Sequence, residues 1–151
     1  MASAAEITRT VLEGRAEMES LMLDRCRITK PDPDAPAPVL DESTGQYPPV
    51  PRIVVYEGKC RIQVKADINS NVVETTAGER EWTYLTMTLQ LPVEPGPGDI
   101  GSSSNVRPDN IAEMLSCPTD ASLEGRLMNV QGLYHKSQAT HRRFRVKELI
   151  G

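Results

Sequence analysis

The sequence predicts a mainly β protein, a small antiparallel β-barrel or sandwich of about six strands with an N-terminal α-helix and long loops. Three observations predict it. Apolar and polar residues alternate in several runs. Nothing shows the strand–helix–strand rhythm of a parallel sheet, and the 12 prolines gather into clusters that read as loops. At 151 residues the chain fits one domain, divided by its patterns into a helix over 1–20 and a barrel over 21–151. Its 38% hydrophobic content suffices for a modest core.

The helix comes first. Ser3 and Glu6 have the spacing of a capping box, in which each side chain satisfies a backbone N–H at the helix start. Ile7, Val11, Met18 and Met22 then recur at helical spacings, giving an amphipathic helix over roughly 4–20. Gly14 in its interior costs about 1 kcal/mol relative to alanine. Such a helix needs a surface to lie on.

At Leu21 the period shortens to two. Met22, Asp24, Cys26 and Ile28 take one side and Leu23, Arg25, Arg27 and Thr29 the other, a half-buried strand. Residues 31–38 hold four prolines, too many for a sheet ladder, so they form an exposed arm or loop. A turn follows with Thr44-Gly45 at its tip, and Pro48, Pro49 and Pro51 keep the whole stretch 31–51 at the surface.

RIVVYEG and KCRIQVKA, from Arg52 onward, are strand again, with Gly58 suggesting a bulge or bend between them. In the second half Cys60, Ile62 and Val64 alternate with Arg61, Gln63 and Lys65. Residues 66–81 are polar, too long for a tight hairpin, and of a length that usually carries a function. Trp82 to Val93 is the clearest strand: Leu85, Met87, Leu89 and Leu91 face one way, Tyr84, Thr86, Thr88 and Gln90 the other, and Pro92 closes it. Beyond a turn-rich connector come two short segments, Asn105 to Arg107 and Ile111 to Cys117, the latter either strand or one helical turn.

The chain closes with an antiparallel hairpin. Its first strand sets Met128, Val130 and Tyr134 against Asn129, Gln131 and His135, and the polar run His135 to Thr140 connects it to the second. There Arg142, Phe144 and Val146 alternate with His141, Arg143, Arg145 and Lys147, so one face is basic from end to end. The expected core is Ile62, Val64, Leu85, Met87, Leu89, Leu91, Met128, Val130, Phe144 and Val146.

Catalytic chemistry has little to build on. The two histidines, His135 and His141, have no motif-linked carboxylate or nucleophile, and GPGD at 96–99 lacks the Lys-Ser/Thr of a phosphate loop. The sequence therefore predicts no enzyme and no cofactor. Cys26, Cys60 and Cys117 contain no CxxC and predict neither a metal site nor a disulfide framework. Cys26 and Cys60 are expected near each other on paired strands, bridged or not.

A balance of 17 basic against 21 acidic residues, formally −4, argues against binding nucleic acid by neutralising phosphates. With no run apolar enough to span a bilayer and no signal-peptide layout at MASAAEITRT, the expectation is a cytoplasmic protein with no membrane partner. The basic face of His141, Arg143, Arg145 and Lys147 has three readings. It is a solvated edge that discourages strand pairing, a contact for acidic loops of a neighbouring subunit, or a nucleic-acid platform of the OB-barrel kind, against which stands its lack of stacking aromatics.

The order of short motifs is more telling than any one of them. LMLDRCRI (21–28), STGQ (43–46), YEGKCRIQV (56–64), TMTLQLPV (86–93), PGPGDI (95–100), LEGRLMNVQG (123–132) and THRRFRVKE (140–148) follow an N-terminal helix. In this the chain resembles the head-to-tail stopper proteins of long, non-contractile-tailed phages, particularly those infecting actinobacteria. The resemblance implies a small β-barrel with an attached helix, assembled as a homo-oligomeric ring, a hexamer rather than a dodecamer. That ring lies in the virion neck, put together in the host cytoplasm between an adaptor ring on the head side and the tail terminator on the tail side. It encloses double-stranded DNA without reading its sequence, helps to retain it, and offers the tail its docking surface. The longer proline-rich segment 31–51 and the stretch 101–120 depart from the family pattern. On this reading the loop 66–81, with Asp67, Glu74, Glu79 and Glu81, is the expected channel-facing or inter-ring element, and His141, Arg143, Arg145 and Lys147 are the subunit-contact face. The competing class is a free-standing OB-like module that grips single-stranded nucleic acid or a peptide.

Overall fold

Six antiparallel strands close on themselves into a barrel. The computed structural model describes residues 3–64, 72–73, 82–83 and 87–149. Helix α1 (Ala4–Ser20) precedes strands β1 (Asp24–Pro31), β2 (Arg52–Val64), β3 (Val72–Val73), β4 (Trp82–Thr83), β5 (Met87–Leu91), β6 (Ile100–Gly101), β7 (Ile111–Ser116), β8 (Leu127–Tyr134) and β9 (Arg142–Glu148). The order β1-β7-β8-β9-β5-β2 returns to β1 through the β1–β2 pairing, so no long edge is left open. The two-residue β6 pairs with β2 at Tyr56 and Glu57, and β3 pairs with β4.

The barrel interior is filled by side chains. Tyr56, Phe144, Ile28, Leu89, Leu91, Met114, Met128, Val130 and Val146 are all buried below 2% exposure, and burial of each such side chain contributes about 1.5–3 kcal/mol. Ile62, Met87, Leu123 and Leu133 pack against this cluster from its margins. Of the expected core, Leu89, Leu91, Met128, Val130, Phe144 and Val146 are in it and Ile62 and Met87 at its edge. Leu85 and the side chain of Val64 lie outside the described residues. The sequence had missed Val55, Tyr56, Val106, Ala112 and Met114 as core.

The helix begins as its capping box requires: Ser3 Oγ accepts from the Glu6 N–H at 3.2 Å and Glu6 Oε2 accepts from the Ser3 N–H at 2.8 Å. None of its residues is fully buried. Val11, Gly14, Arg15, Met18 and Glu19, one helical face, are half-buried. Gly14 now has a reason: a Cβ there would lie 2.8 Å from Thr140 Cγ2 on the β8–β9 connection. Arg15 Nε donates to the Ala139 carbonyl at 3.0 Å, and Glu19 meets Lys59 at 3.5 Å.

Several boundaries and faces differ from expectation. Arg52 to Val64 is one strand, and its irregularity is at Val55, not Gly58: Ile28 faces Tyr56 but Thr29 faces Val54, so Val55 is an extra residue. That is why Val55 and Tyr56 are buried consecutively. Gly58 is needed for another reason, since a Cβ would collide with the Asp99 carboxylate. GPGD forms a turn held by Asp99, whose Oδ2 accepts from the Gly96 N–H at 2.8 Å. Ile111 to Ser116 is strand, the first of the two alternatives, and Asn105 ends a short 3-10 turn over Ser103–Asn105. Pro31 still holds the last position of β1, opposite Arg52. Within the polar connection 66–81, Val72 and Val73 form a short strand that pairs with Thr83 and Trp82 just beyond it.

The largest correction concerns the last hairpin. Val130 faces Val146 but Gly132 faces Arg145, so Gln131 is a bulge that reverses the side-chain parity of β8. Beyond it Leu133 turns inward opposite Phe144, and Tyr134, expected with Met128 and Val130, is 52% exposed.

Candidate functional site

The closed wall of the barrel puts β9 between β8 and β5, and this fixes what its basic face can meet. Arg61 of β2 stands opposite Gln90 of β5, which stands opposite Arg143 of β9; Gln63, Thr88 and Arg145 form the next row. Thr88 and Gln90, the middle members of these rows on the polar side of β5, are buried. Gln90 Nε2 donates to Gln63 Oε1 at 3.0 Å. The outer face of the sheet is therefore a packed polar layer flanked by arginines.

Along the hairpin itself runs a trough. A cleft of about 250 Å³ is lined by Tyr134, His135, Lys136, Ala139, Thr140, His141 and Arg143. It adjoins a shallower one of about 240 Å³ lined by Gln131, Gly132, Leu133, Tyr134 and Arg145. Tyr134 belongs to both, because the Gln131 bulge aims it outward. No carboxylate lines either part. Arg143 and Arg145 are exposed, and neither they nor Arg61 forms an ion pair among the described residues. The ion pairs among the described residues lie elsewhere, as where Arg27 bridges Glu57 at 2.8 Å and Glu113 at 3.9 Å.

His141 is half-buried at the head of this trough. Burial, reinforced by the nearby charges of Arg143, Lys136 and Arg61, holds it below its ordinary pKa of 6.5. Its Nδ1 lies 3.0 Å from Thr140 Oγ1. The structure thus brings His141, Arg143 and Arg145 onto one outward surface with Arg61 and Lys136, two residues the sequence reading did not include. Lys147 continues the same strand, opposite Asn129. The predicted acidic residues Asp67, Glu74, Glu79 and Glu81 lie outside the described residues.

Such a surface can attract carboxylates or phosphates, and the exposed Tyr134 ring adds apolar area to it. It offers no carboxylate to hold a metal, and among the described residues no cluster of His, Cys, Asp or Glu has metal-binding geometry. The three cysteines are buried and unbridged. The signal that would have found Tyr134 was Gly132 inside a strand, a residue type that marks bulges.

In comparison with known families, the model described as a family of unknown function (DUF6093) matches residues 14–147. No curated protein and no solved structure matches.

Proposed function

Since the chain belongs to that family of unknown function, we propose its role from its own residues: it is a structural subunit of a phage neck, the head-to-tail stopper. Copies of it assemble as a ring, a hexamer, between the adaptor and the tail terminator, around DNA that they retain without reading. The order of its short motifs, set out above, suggests this reading. The observation that carries it is the division of the molecule into a barrel filled by its own side chains and an exterior rich in exposed connections. Among the described residues the interior is filled by side chains, and the clefts along the β8–β9 hairpin open on the outer surface. Residues 36–54 are exposed throughout, and α1 buries none of its side chains fully; a subunit that shares these surfaces with neighbours gains what they lack in the single chain. A net charge of −4 also suits a passage through which DNA must slide.

The test is removal of the protein from an assembling phage. Particles made without it are expected to package DNA, lose it and stay tailless, with wild-type protein supplied in trans restoring both. Normal tailed particles without the chain overturn the reading.

The OB-like binding module is the second reading, and one observation favours it: Tyr134 stands exposed beside Arg143, an aromatic next to a cation as single-strand binders use. Fluorescence anisotropy with a labelled oligonucleotide separates the two. Salt-sensitive binding that Tyr134→Ala weakens favours the module; no binding at low salt leaves the stopper.

A further inference from the structure

We propose that the proline-rich arm, residues 32–51, docks onto the basic trough of the β8–β9 hairpin of a second copy of this chain. The arm has a defined shape. Its base is closed where the Asp32 N–H donates to the Pro51 carbonyl at 2.9 Å, and its tip where the Asp41 N–H donates to the Gln46 carbonyl at 3.0 Å. Gly45 makes the tip turn with a positive φ of 70°, as only a residue without a Cβ does easily. With φ fixed at its prolines, the arm loses little entropy on docking.

What this shaped arm presents is unsatisfied. Val39 is 79% exposed and Tyr47 64%, with Leu40 and Val50 also in the open, so the arm is not seated on its own barrel. Between 32 and 51 it carries Asp32, Asp34, Asp41 and Glu42 and no Lys or Arg, a local charge of −4 that accounts for the formal charge of the whole chain. Hydrogen bonds from Ser43 to Asp41 keep that carboxyl below its ordinary pKa, and so charged.

The trough is the complement in both respects. Lys136, Arg143 and Arg145 supply positive charge with no carboxylate in the lining, and the exposed ring of Tyr134 supplies apolar area. The run Val39-Leu40-Asp41-Glu42 offers two apolar side chains followed by two acidic ones, and the trough sets the exposed Tyr134 ring beside Arg143, with Arg145 next along β9. Opposite potentials across such a contact set register and suppress wrong partners. Because arm and trough are different surfaces of one chain, a head-to-tail contact between them closes into a ring where the rotation from copy to copy closes. The contact deepens the ring reading and rests on it for that closure alone.

The experiment is sedimentation of the full chain over a range of concentrations. The wild type is expected to self-associate. Asp41→Arg with Glu42→Arg, or Arg143→Glu with Arg145→Glu, each weakens association by about tenfold or more, and the chain carrying all four substitutions recovers it. A second measurement avoids any effect on folding: Leu40→Cys and Tyr134→Cys chains are mixed and treated with a short bifunctional maleimide. The native thiols are buried, so a covalent pair should form in the mixture and not with either chain alone. Association insensitive to the charge changes, with no cross-link, overturns the arm contact and leaves the ring standing. A wild type that stays monomeric overturns both the arm contact and spontaneous ring formation, whereas the neck assignment falls only with the particle experiment above.

Discussion

Cys26 and Cys60 are diagonal neighbours on the paired strands β1 and β2, both fully buried in the core, yet neither is the other's direct partner: Cys26 stands opposite Gly58 and Cys60 opposite Asp24. This diagonal contact between paired strands bears out their expected closeness and settles them as free thiols. The hydrogen bond with Cys26 and then burial hold the Cys60 thiol far above its ordinary range, which leaves it unreactive as a nucleophile. Titration of the native protein with a thiol reagent at pH 8 should therefore show no fast reaction. In denaturant all three cysteines should react; a single equivalent there would mean a bridge.

Core packing and the hairpin register can be tested together. Phe144 is fully buried, and Phe144→Ala should cost about 3–5 kcal/mol in urea unfolding. Leu133→Ala should cost more than Tyr134→Ala, whose exposed ring contributes within about 0.5 kcal/mol. The reverse order would remove the bulge at Gln131.

Two glycines make an opposed pair. Gly101 has φ of 69°, and a Cβ on it would collide with the Val55 carbonyl oxygen of β2, so Gly101→Ala should destabilise by about 2 kcal/mol or more. Gly132 has open space where its Cβ would be. Gly132→Ala should be neutral within about 0.5 kcal/mol or slightly stabilising, as read from thermal melts of the two variants.

Stability should fall on both sides of neutral pH. The native state holds His141 below 6.5, so the unfolded chain takes up that proton first and stability is lost as pH drops below about 6.5. His141→Gln should flatten this acid limb between pH 7.5 and 5. On the alkaline side, burial pushes the Cys117 thiol up to about 11. The unfolded thiol ionises first, near pH 8.5, so stability is lost from there until the native thiol ionises too. Cys117→Ala should make that limb shallower, and an unchanged slope in urea midpoints would assign it to other groups.

The fold was legible because alternation is a local property. Cys26 and Ile28, Leu89 and Leu91, Phe144 and Val146 point inward as their period of two required, and Ser3 and Glu6 capped the helix from four adjacent residues. Tyr134 went to the wrong face because a bulge adds one residue to a strand without altering its composition, and parity beyond it depends on which carbonyl the partner strand offers. Thr88 and Gln90 read as outward polar residues, yet the rows from Arg61 to Arg143 and from Gln63 to Arg145 bury them once β5 lies between β2 and β9. Gly14 looked like a flaw in a helix until Thr140, far along the chain, occupied the space its side chain would have filled. By itself the sequence determined which residues must leave water and with what period; the tertiary structure decided which neighbours they met, because register, closure and close approach are set by pairings between distant segments that no single stretch encodes.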